Sequence, residues 1–479
     1  MAGKVVTAVK WATLTTIASR LAPPLFTIFL ARILAPDVFG LVAMAMVVVA
    51  FVTMFQDVGF RPALVQRKEI SEELKNAVFW GTALFGAGFF LILYMLAPVA
   101  GQLYRTPEVV PVLRVLATLF LITPLGTVHG AMLTRALDFR RLFWIELIPA
   151  LAPGVVSVSL ALAGQGVWAL VWGTLAGAVI RVFGLWRSVP WRPSGGPHFR
   201  EWPRLLRFGG WVSLEAVLGW SITYFDFLFA GRYLGAVQVG YYRMGMSLII
   251  LPAGTVIRAL NSVMFPAFSR VQNVRAQVRE GFERAFRVVA VLVVPFGVGM
   301  FAFADPVVPL LIGEKWRPMV EVIEVLAPVG VMSALVNVAP PLYKAIGRVD
   351  IIPKFFLVRA LVTIPVYWIS ARNGLMPLVW AKLWLTVGFA PINLWIATRV
   401  LGSRPMVLLR PVAVAVIVGL GAMWVAGAVG DGLPGLHVVL LTGIQLAVYA
   451  GVYVGVIYGM LPDIRKDAAE VIRGSRVRG

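Results

Sequence analysis

The sequence predicts an all-α integral membrane protein of about 14 transmembrane helices, built as two pseudo-symmetric six-helix lobes plus two C-terminal helices. Three observations lead there. Of the 479 residues, 60% are hydrophobic and only 14% charged, and mean hydropathy is +0.87; soluble chains run about 45–50% apolar and about a quarter charged. Apolar runs of about 20 residues, the length that spans a bilayer, recur along the whole chain. Parts of the second half also repeat the first.

Fourteen stretches meet the length requirement, near 10–32, 38–58, 77–100, 111–133, 143–163, 166–186, 206–230, 237–257, 285–305, 320–342, 352–371, 375–398, 411–429 and 436–460. Two pairs, around Gly164 and Asn373, are joined by very tight turns. The N-terminal apolar stretch is broken by Arg20 and leads directly into FTIFLARIL, so it reads as the first span rather than as a signal peptide. Pro23 and Pro24 should kink or break it.

Charges in the connections set the orientation. With the N-terminus inside, inner connections hold 31 Lys and Arg. Outer ones hold seven: Arg32, Arg105, Arg114, Arg232, Lys315, Arg317 and Arg372. That asymmetry places both termini in the cytoplasm. It also accounts for the net charge of +21 without a nucleic-acid partner. There are no cysteines, and His129, His198 and His437 are too scattered to form a metal site. Every loop is short and no nucleotide or metal motif is present, so the chain is not read as an enzyme.

ARILAPDVFGLVAMAMV (31–47) laid on GRYLGAVQVGYYRMGMS (231–247) keeps Arg, Leu, Gly, Met and Met in register at an offset of 200. GVWALVW (166–172) laid on GLMPLVW (374–380) matches at an offset of 208. Six spans separate the copies, so both halves share one orientation: a parallel repeat. PWRPSGGPHFREWP (190–203) is rich in Pro, Gly and charge and marks the boundary. The expected division is an N-terminal lobe 1–189, a cytoplasmic linker 190–204, a C-terminal lobe 205–400, two further helices within 401–460 and a cytoplasmic tail 461–479.

LAPDVFGLVAMA (34–45), DVGFRPALVQRKEI (57–70), LTRALDFRRL (133–142), FDFLFAGRYLGAVQVGYYRMG (225–245) and VMFPAFSRVQ (263–272) carry a family resemblance. In these motifs, and along nearly its whole length, the chain resembles the polysaccharide-type flippases of the multidrug/oligosaccharidyl-lipid/polysaccharide exporter superfamily. The resemblance implies two lobes around a central cavity, alternating access, a polyprenyl-pyrophosphate-linked oligosaccharide as substrate and a place in the cytoplasmic (inner) membrane. It implies a monomer, with the polysaccharide polymerase of the pathway as a candidate associate and membrane lipids as surroundings. Tyr224 departs from the pattern, which has a small polar residue there.

Ionisable groups at mid-bilayer cost about 2.5–3.5 kcal/mol on insertion scales and usually face a cavity or a partner. The candidates are Arg20, Glu146, Glu215, Asp226, Arg243, Arg359 and Lys382. Arginine binds phosphate through paired hydrogen bonds and keeps its charge, so Arg20, then Arg243 and Arg359, are the expected pyrophosphate and sugar ligands. Glu215 and Asp226, eleven residues apart, lie about 20° apart around one helix, and are the expected gating or ion-coupling groups. Structural alternatives stand beside these. In these Arg20 and Arg243 each snorkel to an interface, Asp226 locks two helices by pairing with an arginine, and Arg359 and Lys382 pair with each other or with Glu146. Segment 259–287 is basic and amphipathic, and reads either as a cytoplasmic surface helix or as an ordinary inside connection. No cofactor is expected; coupling to H+, Na+ or the membrane potential stays open. The competing function is an ion-coupled exporter of small organic cations, which needs an acid-dominated cavity.

Overall fold

The computed structural model describes residues 23–56, 64, 70–136, 139–197, 202–271, 274–348, 350–433 and 436–460. Among them the chain is helical and contains no strand. The helices, in order, are α1 (Pro23–Ile33), α2 (Pro36–Gln56), α3 (Glu72–Tyr104), α4 (Val109–Arg135), α5 (Phe139–Leu162) and α6 (Val167–Ser188). Next come α7 (202–234), α8 (236–271), α9 (Arg275–Ile312), α10 (Glu314–Ala345) and α11 (Ile351–Arg372), then α12 (Leu375–Leu401), α13 (Pro405–Asp431) and α14 (Val438–Met460). Among the described residues, eleven helices are long and apolar enough to cross a membrane. The expected tight turns are present: Gly164, Gly166 and Gly374 take positive φ, which a residue without a Cβ adopts freely.

The sequence reading needs one correction here. Segment 259–287 is not a separate surface helix. Residues up to Val271 end α8 and residues from Arg275 begin α9. The basic residues there extend two long helices.

Two compact units form. One comprises residues up to Arg243 together with Phe356–Leu378; the other comprises Met244–Phe355 and the chain from Val379.

In the first unit, α5 and α6 make a close antiparallel pair. α6 carries Gly173 and Gly177 four residues apart, and a Cβ at either would overlap Ser157 or Pro153 of α5. Small residues at this spacing let helix backbones approach in a membrane, where packing rather than water release drives association. One turn beyond, Arg181 meets Glu146 at 2.7 Å in a two-pronged ion pair. The segment expected as a linker is tied down in its first part. The Trp191 indole donates to Glu72, the Ser194 amide donates to Asn76, and the Trp80 indole donates to the Gly195 carbonyl.

The offset-200 repeat has a physical counterpart in this unit. A Cβ at Gly40 would overlap the carbonyl of Ala236, and a Cβ at Gly240 would overlap the carbonyl of Pro36. The contact is reciprocal: adding 200 to one residue of each pair and subtracting it from the other exchanges the pairs. Isologous contacts about a two-fold axis have this form, here inside one chain. Each helix presents a small residue at its start and a glycine four positions later, Pro36 with Gly40 and Ala236 with Gly240.

In the second unit, α14 docks on α9 through a break in the α9 ladder. Pro295 has no N–H, so the Val291 carbonyl four residues earlier loses its helical donor. The Tyr453 hydroxyl donates to that carbonyl at 2.9 Å, and the Tyr449 hydroxyl donates to the Pro295 carbonyl at 2.7 Å. Around these bonds, Ala415, Val418, Ala422 and Ala426 of α13 complete an apolar cluster with α9 and α14.

The glycine crossing is testable. Gly40→Ala and Gly240→Ala each push a methyl group against backbone, and each should cost about 1–3 kcal/mol. Thermal unfolding of the purified protein should show a lower midpoint for both. Gly88→Ala in α3 should not show it, because nothing lies within 4 Å of a Cβ there.

Candidate functional site

Asp226 sits in α7, nine residues before Gly235. That glycine has φ 79° and ψ 170°, which ends α7 and starts α8 in a new direction. Tyr242 lies seven residues into the return. The Tyr242 hydroxyl donates to Asp226 Oδ2 at 2.6 Å, and the Phe227 amide donates to Oδ1 at 2.8 Å. Both Asp226 and Tyr242 are 0% exposed. A bond this short over that separation requires the start of α8 to fold back along α7. The Phe227 and Tyr242 rings, 4.8 Å apart between centroids, pack beside it.

α11 supplies the rest of the cluster. Arg359 and the buried Tyr367 lie within electrostatic reach of Asp226. The Arg359 Nε is buried without a hydrogen-bond partner. Guanidinium N–H groups rarely stay unmatched, because each lost bond to a charged donor is costly. Arg243 follows Tyr242 directly, keeps an exposed side chain, and is within electrostatic reach of Tyr224. It stands about two turns into α8.

Of the residues singled out from sequence, Asp226, Arg359 and Arg243 fall in this region. Arg20 lies outside the described residues, and so does the side chain of Glu215, whose backbone is part of α7. The proposed pairing of Glu146 with Arg359 or Lys382 is corrected: Glu146 pairs with Arg181, which the sequence reading passed over. Lys382 is buried on α12. Tyr242 and Tyr367 were also missed. Tyr242 was findable, since a turn at Gly235 brings positions before and after it together. Arg232, expected at the outer interface, caps α3 by donating to the Gln102 and Leu103 carbonyls at 3.2 and 3.0 Å.

The arrangement holds a carboxylate in fixed hydrogen bonds beside an arginine whose buried Nε has no hydrogen-bond partner. Among the described residues no group of His, Asp or Glu is placed to hold a metal ion.

Comparison with known proteins decides the family. The family model described as "Polysaccharide biosynthesis protein" matches residues 29–321, more than half of the chain. The chain belongs to this family. Its resemblance to polysaccharide-type flippases of the exporter superfamily is thereby borne out, and the family places it among multi-pass membrane transporters rather than enzymes.

Relatives of this family member include the lipopolysaccharide biosynthesis protein WzxC of Escherichia coli (strain K12), 26% identical over 82% of this chain and 79% of that protein. The succinoglycan biosynthesis transport protein ExoT of Rhizobium meliloti (strain 1021) is 28% identical over 75% and 72%. In fold it matches the inward closed conformation of the lipid II flippase MurJ with a TM-score of 0.78. That match covers 96% of this chain and 99% of MurJ, at 13% identity. It also matches an inward-facing multidrug MATE transporter with a TM-score of 0.65, covering 81% and 98% at 14% identity. At these identities the likeness is one of fold.

Asp226→Asn keeps an acceptor for the Tyr242 hydroxyl but removes the charge. If the carboxylate couples an ion or a gate, export should fall about tenfold, within the usual range of coupling free energies. Asp226→Glu and Tyr242→Phe should retain more. Near-normal export by the Asn variant, measured as surface polysaccharide per cell, would make Asp226 purely structural.

Proposed function

We propose that the protein flips polyprenyl-pyrophosphate-linked oligosaccharide repeat units across the cytoplasmic membrane, for exopolysaccharide or O-antigen assembly, by alternating access. The observation that carries this is Arg359: a guanidinium inside a transmembrane helix, beside Asp226, with a buried donor left unmatched. A pyrophosphate supplies the missing acceptor, and arginine is the side chain suited to it. In this reading Arg359 and Arg243 bind the anionic head, Arg20 joins them from the first span, and Asp226 with Glu215 acts in gating or ion coupling. The scaffold is fourteen spans in two six-helix lobes, 1–189 and 205–400, with both termini cytoplasmic. The names of the relatives, which include a lipopolysaccharide and a succinoglycan protein, support the glycan class.

Asp226 also suits a second reading, the export of organic cations, because buried acids bind cations. Two arginines in the same region oppose it through like-charge repulsion.

Deleting the gene in its host and complementing it tests the choice. The deletion strain should lose surface polysaccharide and accumulate lipid-linked repeat units. Arg359→Ala should fail to restore export, and Arg359→Lys should restore part of it. Normal polysaccharide in the deletion strain, with lost drug efflux from vesicles, would establish the second reading instead.

A further inference from the structure

Two cavities in the second unit are lined by successive stretches of the same helices, α9 and α12. The first has a volume of about 560 Å³ and is lined by Arg275, Arg348 and Arg399 over an apolar floor of Val278, Ile346 and Leu401. These arginines come from three separate places: the first residue of α9, the connection before α11 and the last turn of α12. All three belong to connections on the side of the membrane where the chain concentrates its basic residues. Acidic neighbours balance little of this charge. Asp350 pairs with Arg348 at 3.1 Å but also with Lys354 at 3.1 Å. Glu283 accepts the Ser403 hydroxyl. Arg275 makes no ion pair among the described residues, and Arg399 lies 4.8 Å above the Trp395 ring.

The second cavity, about 340 Å³, is an almost wholly apolar groove walled by Phe286 of α9, Leu335 of α10, Leu394 and Trp395 of α12, and Leu408 of α13. Its one side-chain hydroxyl, on Thr398, is already bonded to the Trp395 carbonyl. Consecutive residues of α12 line one cavity and then the other. Thr398 lines the groove and the next residue, Arg399, lines the basic mouth. On α9 the mouth residue Val278 and the groove residue Phe286 are about 12 Å apart along the axis. The groove therefore runs from the helix ends toward the membrane interior.

A basic mouth at headgroup depth leading into an apolar groove is complementary to one kind of molecule. We propose that this site holds an anionic phospholipid of the inner leaflet, with its phosphate among Arg275, Arg348 and Arg399 and an acyl chain along the groove. Basic pockets between transmembrane helices on the cytoplasmic side select such headgroups over zwitterionic ones. The position at helix ends, rather than at mid-membrane, favours a resident lipid over a transported one. The inference does not depend on the transported substrate.

The test is native mass spectrometry of the full-length protein from nanodiscs containing equal phosphatidylglycerol and phosphatidylethanolamine. The wild type should retain phosphatidylglycerol preferentially. The triple variant R275Q/R348Q/R399Q should retain roughly tenfold less, with unchanged elution and melting, since all three side chains are exposed. Leu408→Trp, which fills the groove, should also reduce retention while leaving the arginines in place. Equal retention of the two lipids, undiminished retention by the triple variant, or displacement of the bound lipid by an equal amount of undecaprenyl phosphate would each overturn the proposal.

Discussion

The reciprocal contact between Gly40 and Ala236 and between Gly240 and Pro36 fixes the geometry on which the candidate site depends. Two helix starts from different parts of the chain touch backbone to backbone, which leaves no room for a side chain on either. With the glycine face of α8 committed to α2, the rest of its first turns is committed too. Tyr242 stands about 200° further round the helix and meets Asp226 of α7; Arg243 stands about 100° beyond that. In a bilayer, helix association relies on such close packing and on hydrogen bonds between helices. Here the packing contact and the hydrogen bond follow each other within three residues of α8.

The symmetry of this contact does not extend to the chemistry. Positions equivalent to Asp226 and Tyr242 in the first half are Phe26 and Val42. Phe26 packs its ring where a Cβ on Gly154 of α5 would lie. The second half replaces that aromatic-on-glycine contact with a buried carboxylate, a tyrosine and a neighbouring arginine on α11. At these two repeat positions, charge and hydroxyl stand in the second half only. Buried polar groups of this kind are retained when every member is satisfied or when function uses the unsatisfied one. In this cluster the unsatisfied member is Arg359.

Much of this was legible in the sequence, because membrane helices advertise themselves by composition and length. The all-helical class, the tight turns around Gly164 and Asn373, and the family followed from apolar runs, short connections and motifs. The offset-200 repeat was visible because Gly40 and Gly240 matched in register, and those two residues make the contact. What escaped were pairings that need three-dimensional register. Glu146 was offered to Arg359 or Lys382 as one open pairing, and Arg181, its partner, looked like an ordinary residue of α6. Its role emerged only from the Gly173 and Gly177 packing that sets the α5–α6 register. Segment 259–287 was left between a surface helix and an ordinary inside connection because amphipathic character looks the same in a surface helix and in the ends of two long ones. Tyr367 carries no sequence signal of its own, since buried tyrosines are common in any apolar helix, and Tyr242 becomes legible only once a turn at Gly235 is assumed.

The central claim is that intramembrane arginine, organised around Asp226, recognises a phosphorylated lipid. Its most direct measurement is the binding of undecaprenyl pyrophosphate and of undecaprenol to purified protein in nanodiscs, for the wild type and for Arg359→Ala. The account predicts tight binding of the pyrophosphate, weak binding of the alcohol, and loss of that difference in the variant. Equal binding of both lipids by the wild type, or an undiminished preference for pyrophosphate in the variant, would contradict it.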